Sequence, residues 1–390
     1  MRQVVIAGAC RTPIGSFQGA LSSLTAPRLG SLAIREAVRR SGISPELVEE
    51  VFMGCVLTAG VGQAPARQAA IFAGLPNTVP CTTINKVCGS GLKSVMLGAL
   101  TIAGGEADVV VTGGMESMSN APYLLEKART GYRMGDGKVV DSMVKDGLWD
   151  VYNDYHMGNA AELCARECHI PRDVQDEFAA ASYRRAIEAM DKGYFKDEIF
   201  SVEVQGKTGA AQVEEDEEPR KVKFEKMPQL KPAFDRNGTV TAANASKLND
   251  GAAALVLMSE EKAKELGVKP LAKIVAQASS AQAPEWFTTA PATVIQKLLD
   301  RRNLKKEDID LFEINEAFSV VSLAVRQILD LDPDKIDVHG GAVALGHPIG
   351  ASGARILTTL LYAMLRRDAH RGIAAICIGG GEATGVLIER

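Results

Sequence analysis

Two cysteines each stand beside a glycine cluster at the end of a hydrophobic strand pattern, Asn85-Lys86-Val87-Cys88-Gly89-Ser90-Gly91 and Ile376-Cys377-Ile378-Gly379-Gly380-Gly381. A thiol between a strand end and a helix start is exposed by the turn, and the helix dipole favours its thiolate. Cys88 fits both conditions, and Gly89 and Gly91 let backbone and substrate approach closely, as in the nucleophile elbow of serine hydrolases. Most free cysteines are buried core residues, so taken alone Cys88 divides evenly between packing and chemistry. Ser90 is a rival nucleophile, but no base is placed for it.

A cysteine nucleophile needs a base. His347 lies in the loop Gly346-His347-Pro348-Ile349-Gly350 rather than on an apolar face, which favours a chemical role. Strand burial explains Cys377, yet not the three glycines after it, which leave N–H groups free to bind a developing oxyanion. Asn315, in Asn315-Glu316-Ala317-Phe318, suits a helix N-cap and also a polar anchor in a site. His339 and His370 read as loop or surface residues. Cys164 and Cys168, with His169, mimic a metal site, but no second ligand pair follows, so core packing is the preferred reading and no metal is expected.

The elements that position these groups occur twice, about 260 residues apart. Cys88 to Lys93, a helical pattern, and the strand Asp108 to Thr112 ending in Gly113-Gly114 parallel Gly350 to Arg355, a helical pattern, and the strand Ile373 to Ile378 ending in Gly379-Gly380-Gly381. Val48 to Cys55 likewise parallels Ile309 to Glu316. Short Val/Ile-rich strands (Val4 to Ala7, Val109 to Thr112, Ala254 to Met258, Ala374 to Ile378) alternate with helices; in one, Leu92, Val95, Met96, Ala99, Leu100 and Ala103 keep a clean three-and-four spacing. The expected fold is α/β: two pseudo-twofold-related halves with mixed sheets and covering helices, plus an inserted loop domain. The N-terminal half spans 1–118 and 246–270, the insertion 119–245 and the C-terminal half 271–390. The insertion carries a helical stretch, Pro171 to Lys192, and the acidic run Glu214 to Glu218, which reads as solvated surface.

At 390 residues, 46% hydrophobic and 24% charged, the chain has the make-up of a globular protein with a large core. A net charge of −4 offers no footprint for a nucleic-acid backbone, and no uninterrupted apolar run approaches the roughly 20 residues of a membrane span. The start reads as a strand rather than a targeting peptide. Seven unevenly spaced cysteines form no disulfide framework, so a reducing, cytoplasmic setting is expected.

With Arg11-Thr12-Pro13-Ile14-Gly15, Gly113-Gly114-Met115-Glu116-Ser117-Met118-Ser119 and Gly340-Gly341-Ala342 added, the motifs above match one family pattern in order along the whole chain. The chain resembles the thiolases, and among them the short-chain acetyl-CoA acetyltransferases. The resemblance implies a reversible condensation of two acetyl-CoA to acetoacetyl-CoA and CoA, with an acetyl group carried on Cys88. It implies His347 as the base for Cys88, Cys377 as the base toward the second acetyl-CoA, and Asn315 as the residue fixing a water for the enolate oxygen. The N–H groups of Cys88 and Gly379 would hold the tetrahedral intermediate. Along the CoA channel it implies Ser246 near the pantetheine, Arg220 near the adenine, and Leu148, His156, Met157, Ala317 and Phe318, with Phe287 beside a pocket too narrow for long acyl tails.

No cofactor is implied beyond the CoA thioesters themselves, and a homotetramer built through the protruding Tyr123 to Met143 stretch is expected. Potassium-activated relatives carry a tyrosine where this chain has Pro219. A broader-chain degradative 3-ketoacyl-CoA thiolase shares the catalytic set and is the alternative. A β-ketoacyl synthase would need a histidine where Cys377 stands, and a silent CoA-binding scaffold would have lost one of Cys88, His347 or Cys377.

Overall fold

In a computed structural model, residues 2–206 and 209–390 are described. Nine strands run in one hydrogen-bonded sheet: β1 (Val4–Arg11), β2 (Glu50–Gly54), β3 (Cys81–Ile84), β4 (Val109–Ser117), β5 (Asn249–Ser259), β6 (Ala272–Ala281), β7 (Leu311–Ile314), β8 (Arg371–Ile378) and β9 (Glu382–Glu389). Their order is β7-β8-β9-β6-β1-β5-β4-β2-β3, with Gly15–Ser16 pairing β5 as a tenth, short strand. Where two sheets were expected, one continuous sheet forms.

The duplication is visible in its pairing. β2 and β4 are parallel, and β4, β5 and β1 follow antiparallel. β7 and β8 are parallel, and β8, β9 and β6 follow antiparallel. The halves meet where β1 pairs β6 through Val4, Val5 and Ile6. Each seam strand carries a bulge at the same place, after Ile6 in β1 and after Ile274 in β6, which bends both halves away from a flat sheet.

Helices α1 (Ala26–Ser41) and α2 (Pro65–Ala73) cover one face of the first half, where Val5, Val51, Met53, Val111 and Val256 point. The alternate residues, Ile6, Phe52, Val110, Leu255 and Leu257, face α3 (Ser90–Gly104). The same cluster takes in Ile356, Leu357 and Leu360 further along the chain and Ile376, Val386 and Ile388 of the second half. On the far side, Ile373, Ala375 and Leu387 pack on a helix at Ala290–Arg302. Period-two alternation with both faces apolar therefore yields five layers, and α3 lies in the middle one. That placement accounts for the apolar stretch Val87–Gly104, long enough by composition to span a membrane.

The insertion is not a separate body. Helices α4 (Met157–Glu167) and α5 (Arg172–Asp191) share their cores with the second half, through Val320, Val321 and Ala324 for α4 and Val343, Ala344 and Leu345 for α5. The acidic run also departs from expectation. Asp216 is buried, binds both terminal nitrogens of fully buried Arg11 at 2.7 and 2.9 Å, and accepts the Ile14 N–H; Glu198 takes the Arg11 Nε at 2.6 Å. Removing one partner of such a buried set typically costs about 3–5 kcal/mol, so Arg11 pins the insertion to β1. Only Glu214 and Glu215 of the run are exposed.

Candidate active site

Cys88 sits in the turn between β3 and α3. Val87, just before it, takes φ +45°, a left-handed conformation that a β-branched residue rarely adopts and that costs on the order of 1–3 kcal/mol. Local bonds hold it there. The Ser90 hydroxyl donates to the Val87 carbonyl at 2.6 Å and accepts from the Lys86 N–H at 2.8 Å, so Ser90 builds the turn and is spent as a nucleophile.

The second half supplies the partner loops. His347 precedes α6 (Ile349–Arg367 in the middle layer), after Gly346 at φ +113°, where a side chain would run into Asn249. Helices α3 and α6 start side by side because Gly91 and Gly353 face the opposite backbone. A Cβ at Gly91 would come within 2.7 Å of the Ala354 nitrogen, and one at Gly353 within 2.3 Å of the Leu92 nitrogen.

The imidazole orientation follows from its contacts. Ser352 Oγ lies 2.6 Å from His347 Nδ1 and 3.0 Å from the Pro348 carbonyl, and in the tautomer that lets both contacts form the hydroxyl donates to the carbonyl and the ring donates through Nδ1. Nε2 is thereby left with its lone pair, and it has no partner within the protein. Burial, with Arg355 adding, pushes His347 down to about 3. The ring is a neutral base at physiological pH.

Cys88 differs from the expected thiolate. Burial pushes its thiol up to about 11, with the nearby backbone N–H groups of Gly379 and Cys88 acting in the opposite direction. A helix start does not outweigh desolvation here. Those two donors are the pair that the family resemblance implies for the tetrahedral intermediate, whose carbon would be bonded to this sulfur.

Cys377, the next-to-last residue of β8, is buried; burial and then Cys88 hold its thiol well above the usual range. Asn315 follows β7, its N–H bound to the Ala375 carbonyl at 3.0 Å, so the parallel pair β7–β8 places Asn315 and Cys377 at one sheet end. Both amide atoms of the Asn315 side chain are buried without a partner in the protein, the state of a group that serves a ligand or water rather than a cap.

Cys88, His347 and Gly379 line one cavity of about 620 Å³ together with Leu148, His156, Met157, Ser246, Phe287, Ala317 and Phe318. Asn315 and Cys377 are not on its wall; Cys377 packs directly behind, among Met157, Phe287, Ala317 and Phe318. Arg220 is also off the wall, exposed and bonded to Asp191 at 2.8 Å and Glu215 at 3.5 Å, while its neighbour Lys221 lines the cavity. His339 is buried against Tyr194 and Phe195 rather than on the surface. Buried Cys164 of α4 and half-buried Cys168, just past the helix end, lie 3.8 Å apart.

Sequence reasoning missed Phe234 and Lys247. Phe234 stacks on His156 at 4.8 Å, a contact between residues far apart in sequence. Lys247 donates to the Ala245 and Val343 carbonyls, tying the strand of chain that bears Ser246 to the helix before His347, and burial pushes it down to about 8. Its only signal was adjacency to Ser246.

Comparison with known proteins agrees with this geometry. A family model described as thiolase, N-terminal domain, matches residues 4–261, and one described as thiolase, C-terminal domain, matches 268–390. A Schizosaccharomyces pombe protein named acetyl-CoA acetyltransferase is 52% identical, covering 100% of this chain and 99% of that protein. One of the same name from Cupriavidus necator is 53% identical over the full length of both. The crystal structure of a thiolase from Ascaris suum in complex with coenzyme A superposes with a TM-score of 0.95 at 45% identity, covering 100% of each chain. With both halves matched and the reactive groups of each half meeting at one cavity, the chain belongs to the thiolase family.

Proposed function

We propose that the chain is an acetyl-CoA C-acetyltransferase that interconverts two acetyl-CoA with acetoacetyl-CoA and CoA. The observation that carries this reading is that Cys88, Gly379 and a buried, neutral His347 share one cavity wall. The full-length relatives named acetyl-CoA acetyltransferase support the substrate.

In this reading Cys88 attacks the acetyl carbonyl as its proton passes to His347 Nε2, and the N–H groups of Cys88 and Gly379 hold the oxyanion. The bond to CoA then breaks. Cys377, protonated at rest, gives its proton to the departing CoA thiolate and becomes a base. It takes a proton from the methyl group of a second acetyl-CoA, whose enolate oxygen is held by His347 and a water fixed by Asn315. The carbanion attacks the Cys88 thioester, the Cys88–acyl bond breaks, and the sulfur recovers its proton from His347. Atoms and charges balance with the chain's own groups and two thioesters, so we propose no resident cofactor.

Ser352→Ala tests the tautomer. It removes the acceptor that keeps the proton on Nδ1, so kcat should fall about tenfold or more while KM for the thioester stays within about twofold. Unchanged kcat in steady-state assays would show that another contact sets the ring.

Pocket size tests the substrate class. Met157, Phe287 and Phe318 close the cavity near Cys377, so acetoacetyl-CoA should be thiolysed much faster than 3-oxohexadecanoyl-CoA. Comparable kcat/KM across a ladder of 3-oxoacyl-CoA lengths would favour the broader-chain degradative thiolase. We also propose a cytoplasmic homotetramer. The free state of all seven cysteines supports the setting, and the exposed Tyr123, Leu125, Tyr132, Met134 and Val139 of the protruding stretch support the assembly.

A further inference from the structure

Glu116, near the end of β4, is fully buried and takes no part in the steps above. Its Oε2 accepts the N–H groups of Val56 at 3.1 Å and Gly350 at 2.9 Å, and its Oε1 accepts that of Leu57 at 3.2 Å and faces the Cys55 thiol at 3.8 Å. Val56 and Leu57 follow β2 in the first half, whereas Gly350 opens α6 in the second, three residues after His347. One carboxylate therefore bridges the halves at the base of the helix that presents the imidazole. The neighbouring strand completes the grip: Asn249 of β5 accepts the His347 N–H at 2.8 Å. Gly350 leaves room for this, since a Cβ there would lie 2.7 Å from Oε2. Val56, Leu57 and Ile349, on the two sides of the bridge, form the cluster against which Cys88 packs.

We propose that Glu116 is a positioning residue for the acetyl transfer, clasping the first turn of α6 to the loop after β2 and so fixing how His347 faces Cys88. The proposal rests on the thiolase reading of this site. Burial pushes the Glu116 carboxyl up to about 7 against those three N–H groups, and its charge adds to the forces raising the Cys88 thiol. The titratable group it touches is the Cys55 thiol, and its charge reaches the Cys88 thiol without contact.

Glutamine has the same shape but presents an amide N–H₂ to one set of N–H donors, so it cannot keep all three bonds. Glu116→Gln should bind CoA within about twofold of the parent by calorimetry, while kcat falls about tenfold to a hundredfold, as for a misplaced catalytic group. The pH midpoint for alkylation of Cys88 by iodoacetamide, read by mass spectrometry, should move down because a negative charge is gone. Glu116→Asp keeps the charge and draws it back by one methylene; it should lose kcat with the midpoint unmoved. A folded Glu116→Gln with parental kcat, or one whose midpoint does not move, would overturn the proposal; so would Glu116→Asp with parental kcat, which keeps the test decisive if the glutamine variant does not fold. A parent protein that makes no acetoacetyl-CoA would instead sink the functional reading, and the alkylation midpoints would still decide whether the Glu116 charge reaches Cys88.

Discussion

Cys88→Ala is expected to abolish both acetyl-enzyme formation and net turnover, a loss on the order of 10⁴-fold or more, as for other removed nucleophiles. Cys88 is the one cysteine on the cavity wall among the described residues, and Gly379 and His347 share that wall with it. Burial pushes the Cys88 thiol up to about 11 and His347 down to about 3. At neutral pH the pair is therefore thiol and imidazole, not thiolate and imidazolium, and the proton moves as the carbon–sulfur bond forms. Mass spectrometry after brief incubation of the parent with acetyl-CoA should place the acetyl group on the peptide containing Cys88, and none should appear in the variant. An adduct on the peptide containing Cys377 would reverse the two roles.

The duplicated fold was legible because both copies start a helix with small residues and end a strand in glycines, and these residues exist to bring α3 and α6 together. The joining of the halves into one sheet was not, since it depends on three residue pairs between β1 and β6 that no local pattern records. Cys88, His347 and Gly379 were legible for the same reason as the fold: glycine-bounded loops mark chain that must approach something closely. Their ionisation was not. Helix position predicts a thiolate, whereas burial, a property of the assembled layers, decides for the thiol.

The acidic run shows a similar limit. Composition makes five adjacent acids look solvated, and nothing local says that the third points inward at Arg11, about two hundred residues away in sequence. Arg220 and Lys221 exchange places because a short turn at Pro219–Lys221 decides which of two adjacent cations faces the cavity. Ser352 looked like another small residue on a helix start; its role appears only once the helical turn brings it back beneath His347.

Cys377→Ala separates the two thiols by step. The nucleophile is needed when acetyl-CoA is first attacked; Cys377 serves that step only by giving CoA a proton, which His347 can supply instead, and is indispensable when a carbon acid must lose one. Replacing the Cys377 side chain leaves Cys88, His347 and the N–H groups of Cys88 and Gly379 in place, so the variant should still form acetyl-enzyme to full stoichiometry, with His347 returning the proton to CoA. Condensation and thiolysis should fall about a hundredfold to ten-thousandfold, the range for a lost general acid–base. Alanine conserves the apolar packing behind Met157 and Phe318, so folding should survive and a melting curve will show it. The decisive comparison is exchange of labelled CoA into acetyl-CoA, which needs only the first step, beside acetoacetyl-CoA synthesis, which needs both. Exchange retained with synthesis lost supports a base at Cys377. Near-parental synthesis would mean that the proton leaves the methyl group by another route and that the second cysteine is packing alone.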